Sequence, residues 1–207
     1  MTIDRAAVQR AIERLTQAME RDFDLLNTAD GALGDGDLGI TMTRGMRAIS
    51  ELSDDLPEDL GKALLQCAQA FTKTSGSSYG TLLATGLMAI AKQVKGETEL
   101  SAERISALTA AARDQMQARG KAELGGKTVL DSLDAVATET AGKSAPSDVA
   151  DAAAKAVSDA LEDFRDKPAS VGRARIFGEK SVGMDDPGML AMDRIVKALA
   201  DRETQQT

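Results

Sequence analysis

The chain has 207 residues, 43% of them hydrophobic but only 2% aromatic, with a net charge of −8 and no histidine. That length suits one domain with a sizeable core, and the acidic balance argues against nucleic acid, whose phosphates are held by clustered Lys and Arg. Without histidine, a Ser-His-Asp triad, a His zinc site and a phosphohistidine relay are all excluded within this chain, so any catalysis uses carboxylates, metals, amides, Lys, Arg or hydroxyls.

The N-terminus, MTIDRAAVQR, has no apolar signal core. No apolar run approaches the ~18 residues of a membrane span, so a soluble cytoplasmic protein is expected. Helical periodicity then runs along the chain. Val8, Ile12, Leu15, Met19, Phe23 and Leu26 step by three or four, followed by Met42, Met46 and Ile49. Pro57 is expected to open the next helix, through Leu60, Leu64, Cys67 and Phe71. The single cysteine, Cys67, excludes an internal disulfide and reads as a small buried hydrophobe. Further stripes follow at Leu83–Val94, Ile105–Met116 and Val129–Val136. Ser147 or Asp148 is expected to cap the helix of Val149 to Phe164, and Leu190, Ile195 and Leu199 close the chain. About eight helices and no period-2 strand predict an all-α, single-domain antiparallel bundle or barrel over 1–207. Ala, Leu and Met fill its core, since there is no Trp, one Tyr and four Phe.

Four connections are rich in glycine and polar groups: 28–39, 74–80, 119–128 and 172–188. If neighbouring helices are antiparallel, all four gather at one end. In the first, Asp30, Asp35 and Asp37 fall within eight residues, separated by glycines. Two carboxylates ~4 Å apart repel by ~4 kcal/mol at an effective dielectric near 20. Either the loop splays them or a cation sits between them. An EF-hand frame starting at Asp35 would put Gly39 at its fifth position and Met46 at its twelfth, so it fails. Oxygen ligands without that frame suit Mg2+, completed by water and phosphate oxygens. The stretch 120-GKAELGGKT-128 is nearly a Walker A loop, but Lys121 stands where Gly is needed and a helical segment precedes it. The amides of Gly125, Gly126 and Thr128 can still face an anion at a helix start, as can Ser75 and Gly76. Lys127 either steers phosphate or is solvated, and Lys121 reads as solvated.

In order along the chain, 34-GDGD-37 after Asp30, 74-TSGSSYG-80, 119-RGKAELGGKT-128 and 172-GRARIFGEKSVGMDDPG-188 resemble the motifs of the nucleotide-binding L subunit (DhaL) of dihydroxyacetone kinases. The resemblance implies an eight-helix barrel with the nucleotide at one end. It implies two Mg2+ ions on Asp30, Asp35 and Asp37, bridging the phosphates of ADP or ATP. By position, Leu38, Gly39, Ile40 and Thr41 line the nucleotide, Ser75 and Gly76 meet phosphate, and Gly120 and Val129 border the base. Arg173, Asp186, Pro187 and Gly188 close over it; beside it, Arg175 reads as surface charge. Family members use either free ATP or a bound ADP recharged by a phosphohistidine carrier of the sugar phosphotransferase system. No catalytic residue beyond the metal ligands is expected from this chain. In the family scheme a histidine on a separate K subunit anchors the ketose, dihydroxyacetone or a related triose or tetrulose. A chain without histidine therefore needs such a partner. The sequence leaves homodimerisation open.

Three positions depart from the pattern: Leu38 and Met184 stand where many relatives have His, and Gly126 where the family has Asp. These changes fit a different ketose, altered nucleotide exchange or altered partner choice. A regulatory module that binds nucleotide and signals to a transcription factor without turnover is the alternative to the kinase subunit.

Overall fold

A computed structural model of the chain describes residues 2–74 and 76–201. Among the described residues there are nine α-helices and no strand: α1 (Arg5–Arg21), α2 (Phe23–Leu33), α3 (Leu38–Ser50), α4 (Leu60–Thr74), α5 (Ser78–Gln93), α6 (Ile105–Gly120), α7 (Val129–Glu139), α8 (Pro146–Arg165) and α9 (Pro187–Ala200). Ile3 and Leu100 pair as a lone antiparallel bridge.

Eight of the helices close a ring. α1 packs on α3, then α3 on α4 and so on in sequence to α9, which returns to α1. α2 is the ninth, lying against α3 and α9. The periodic stripe of residues 8–26 is interrupted at Asp22, where φ −94° and ψ 11° turn the chain between α1 and α2. The expected loop at 28–33 is instead the last part of α2, so Asp30 stands on a helix. Helix propensity at Ala29, Ala32 and Leu33 outweighs the lone Gly31 there.

Local chemistry sets several starts. Asp4 caps α1 through Ala7 N at 2.8 Å. Thr128 and Asp131 form a capping box on α7. Two expected starts are displaced. α4 begins three residues after Pro57, where Asp59 accepts from Lys62 N at 3.1 Å. α8 begins with Pro146 as its first residue behind Ala145, not after Ser147 or Asp148. The Asp59 carboxylate accepts a first-turn amide, for which a proline side chain has no acceptor.

The core is built from the predicted stripes: Met19, Leu26, Ala63 and Met189 are fully buried, as is Cys67, whose thiol burial pushes up to about 11. Because small side chains face inward from Ala84, Gly86 and Ala112, the barrel encloses an apolar cavity of about 590 Å3. Among the described residues no helix is long and apolar enough to cross a membrane.

Candidate nucleotide and metal site

A second cavity, about 210 Å3, opens at one end of the barrel. Its wall takes residues from all four glycine-rich connections: Asp30 to Leu38, Ser77 to Tyr79, Gly120 to Val129, and Val171 to Gly188. The alternation of up and down helices brings them together. α3, α5, α7 and α9 all begin on this wall, at Leu38, Ser78, Val129 and Pro187. Four helix N-termini meet at one cavity, each carrying partial positive charge. That convergence suits a polyanion, and it is the gathering of the four connections at one end that antiparallel neighbours predict.

Beside these N-termini lies the acidic group. Asp30, Asp35 and Asp37 each offer a carboxylate oxygen within 4.8 Å of the others. Asp30 Oδ2 accepts from the amides of Asp37 at 2.9 Å and Leu38 at 3.2 Å, which folds the loop back onto α2. The glycines allow it. A Cβ on Gly34 would meet Asp30 Oδ1 at 2.4 Å, and Gly36 turns at φ +77°. Desolvation, then Asp35, then Asp30 push the Asp37 carboxyl up. Asp35 is held down, chiefly by its hydrogen bond from Arg173, with which it is ion-paired.

The donor set fits a small hard cation. All three ligands are oxygens, the donor type that Mg2+ takes, and they already converge on one side of the cavity. With Asp30 Oδ2 engaged by amides, its Oδ1 and the Asp35 and Asp37 carboxylates are the atoms to hold it.

The expected contact residues divide. Leu38, Gly120, Val129, Arg173, Asp186, Pro187 and Gly188 are on the cavity wall with the three aspartates. Gly39, Ile40, Thr41 and Gly76 are not. Gly39 and Ile40 donate their amides to Asn27 Oδ1 at 2.8 and 3.3 Å, and Thr41 is buried. Ser75 lies outside the described residues. The amides of Gly125 and Thr128 are already taken by Asp131, at 2.5 and 2.8 Å, and so do not face an anion. Lys127 is neither solvated nor on the cavity wall: it is 1% exposed, with hydrogen bonds to three carbonyls. Lys121 is exposed in the left-handed turn after α6, as expected. Of the two adjacent arginines, Arg173 faces the site and Arg175 is exposed.

The wall also contains Leu33, Leu82 and Met116, which the motifs did not mark, and Tyr79 of the 74–80 motif. Tyr79 donates its hydroxyl to Gly188 O at 2.9 Å, tying α5 to the start of α9, and burial pushes its phenol up. Asp186 caps α9 through Met189 N at 2.9 Å, and desolvation pushes its carboxyl up to about 6.

Comparison with known proteins identifies the family and the fold. The model of the DAK2 domain matches residues 32–201. The chain is 28% identical over 204 residues to the ADP-binding subunit DhaL of PEP-dependent dihydroxyacetone kinase 1 of Listeria innocua, covering 98% of this chain and 99% of that one. It is 34% identical over 196 residues to the human triokinase/FMN cyclase, covering 92% of this chain but 34% of the relative. Among solved structures, the dihydroxyacetone kinase of C. freundii in complex with AMP-PNP and Mg2+ superposes with a TM-score of 0.74 at 26% identity, over 94% of this chain and 33% of that one. The chain thus spans the whole of the DhaL subunit and about a third of the longer kinases.

Proposed function

The chain belongs to the DAK2 domain family, and from that premise we infer that it is the nucleotide-carrying subunit of a dihydroxyacetone-type kinase. It acts as a single nucleotide-binding domain over 1–207. It holds ADP or ATP with two Mg2+ ions and passes a phosphoryl group to a short ketose bound on a separate K subunit. The observation that carries the reading is the meeting of three carboxylates and four helix N-termini on one cavity. A Mg-polyphosphate presents that pairing of charges, and the name of the L. innocua subunit, ADP-binding, supports it.

Asp30, Asp35 and Asp37 are the metal ligands in this reading. The metal, when bound, neutralises charge on the transferring phosphoryl group. The chain's own residues do the positioning. The start of α3 at Leu38 and the start of α5 at Ser78 turn their dipoles toward phosphate. Val129 and Gly120 flank an apolar recess with Leu82 and Met116, where a base fits. Arg173, now paired with Asp35, is placed to move onto phosphate once a metal takes over its carboxylate partner. Gly39 and Ile40 support the loop from behind through Asn27, and Thr41 through its amide to Asp37 O, rather than by contact. The ketose site lies on the partner, and the phosphoryl source is ATP or a phosphohistidine carrier.

Calorimetric titration of chelator-treated protein with ADP, with and without Mg2+, tests the reading. Binding that requires Mg2+ and is lost in Asp35→Asn is the expected result. Mg2+-independent binding, or none, overturns it. Adding a K subunit and dihydroxyacetone then separates the kinase subunit, which turns over, from a signalling module, which does not.

A further inference from the structure

We propose that Lys127 is a positioning residue, whose buried ammonium clasps the strap between α8 and α9 and so sets how firmly that strap closes over the nucleotide. The inference rests on the nucleotide-site reading above. Lys127 is among the least exposed large side chains of the protein. Its Nζ donates to Arg165 O, Lys167 O and Ser181 O, each at 2.9 Å. An ammonium has three donors and no acceptor, so the group is fully satisfied. The three acceptors come from different places: the last residue of α8, the turn after it, and the 3-10 turn Gly178–Ser181. Arg165 O is a helix-terminal carbonyl, at the negative end of the α8 dipole.

The backbone at Lys127 is itself unusual. Its φ is +61°, a left-handed conformation that a residue with a Cβ adopts at a cost. Such a conformation persists where the surroundings over-determine it, and here the side chain provides the determining contacts. The neighbouring Gly126 completes the fit: a Cβ there would meet Val171 Cγ2 at 2.7 Å, so the strap packs directly on this turn. Ser170 N also donates to Gly126 O at 3.3 Å.

The clasp bears on the site because both segments it joins end on the cavity. One residue beyond Lys127, Thr128 and Val129 are on the wall. The strap carries Val171, Gly172, Arg173 and Asp186 to the same wall. Further ties act in the same sense. Ser181 Oγ accepts from Ala169 N at 2.7 Å and donates to Gly178 O at 2.6 Å, Gly183 N donates to Arg165 O at 2.9 Å, and Arg165 pairs with Asp185 at 2.8 Å. Lys127 is not itself on the cavity wall and bonds none of the three aspartates, although Asp186 on that wall feels its charge. Its loss should therefore loosen the strap and leave the metal ligands as they are.

Lys127→Met keeps the length and removes the ammonium. The expected result is Mg·ADP binding about tenfold weaker with faster release, while Mn2+ binding at the aspartates, read by electron paramagnetic resonance without nucleotide, changes less than twofold. Hydrogen exchange should rise in residues 169–184 and stay unchanged in α1, α3 and α4. Unchanged ADP affinity overturns the proposal, as does a loss of protection spread evenly over the barrel, which marks a purely structural lysine. If Lys127→Met does not fold, Ser181→Ala decides. It leaves the ammonium and removes the hydroxyl that fixes its acceptor segment, so about threefold weaker ADP binding supports the clasp and no change refutes it. Wild-type protein that binds Mn2+ but no ADP overturns the nucleotide reading instead, and the exchange comparison still tests whether Lys127 holds the strap.

Discussion

The barrel interior and its rim hold two cavities of opposite character. The interior one, about 590 Å3, is walled by Leu, Ile, Val, Ala and Met from almost every helix. The rim one, about 210 Å3, is walled by helix starts, glycines and aspartates. The interior keeps the ring of helices together by burying apolar surface, at roughly 25 cal/mol per Å2. The rim does the reverse: it gathers three carboxylates that repel one another, with Arg173 as their near counter-charge. Stability and chemistry are thus stored in different parts of one fold, and functional groups are kept at some cost to the folded state.

Substitutions can test how separable the two regions are. Leu60, 2% exposed at the start of α4 away from the rim, belongs to the packed body. Leu60→Ala should lower stability by about 3 kcal/mol in urea unfolding, with Mg·ADP affinity within twofold of wild type. A parallel loss of affinity would break the distinction. Asp30→Ala should act the other way, weakening Mg·ADP about 100-fold, close to 3 kcal/mol of binding. It should cost only about 1 kcal/mol of stability for the two amides that lose their acceptor. Calorimetry and urea unfolding on the same sample separate the two effects.

Asp37→Asn sharpens the contrast. Burial and its two acidic neighbours raise the Asp37 carboxyl, so the ionised group burdens the folded state at neutral pH. The metal-free variant should unfold at slightly higher urea, by about 0.5 kcal/mol, while Mg·ADP binds about tenfold more weakly. Asp186 gives the smallest effect and the clearest pH signature. Its folded pKa, about 6, lies above its ordinary value of 3.8. The stability it contributes is therefore fully present below 3.8 and lost as pH rises through about 6. Wild type should gain about 1 kcal/mol from this group between pH 7 and pH 5. Asp186→Asn, which keeps an N-cap oxygen, should lack that gain when urea curves at the two pH values are compared.

Much of the barrel was legible in the sequence because helical period and breaker residues are local. The stripes at Leu60–Phe71 and Ile105–Met116 became α4 and α6, and the motifs marked the aspartates and Arg173. Starts that depend on competition between neighbouring caps were less legible, as at Pro57 against Asp59 and at Ser147 against Pro146. Asp30 was read as loop because three aspartates and four glycines in one stretch resemble a turn, although α2 runs through it.

The sequence by itself determined the all-α class, the stripes that face inward and a chemistry without histidine. Each follows from residue type and spacing along the chain. Only the tertiary structure decided which loop amides are free. Asp131 takes those of Gly125 and Thr128, and Asn27 takes those of Gly39 and Ile40. It also buried Lys127 among carbonyls 38, 40 and 54 residues away. Hydrogen-bond partners so distant in sequence leave no periodic trace, and the closing of the ring selects them.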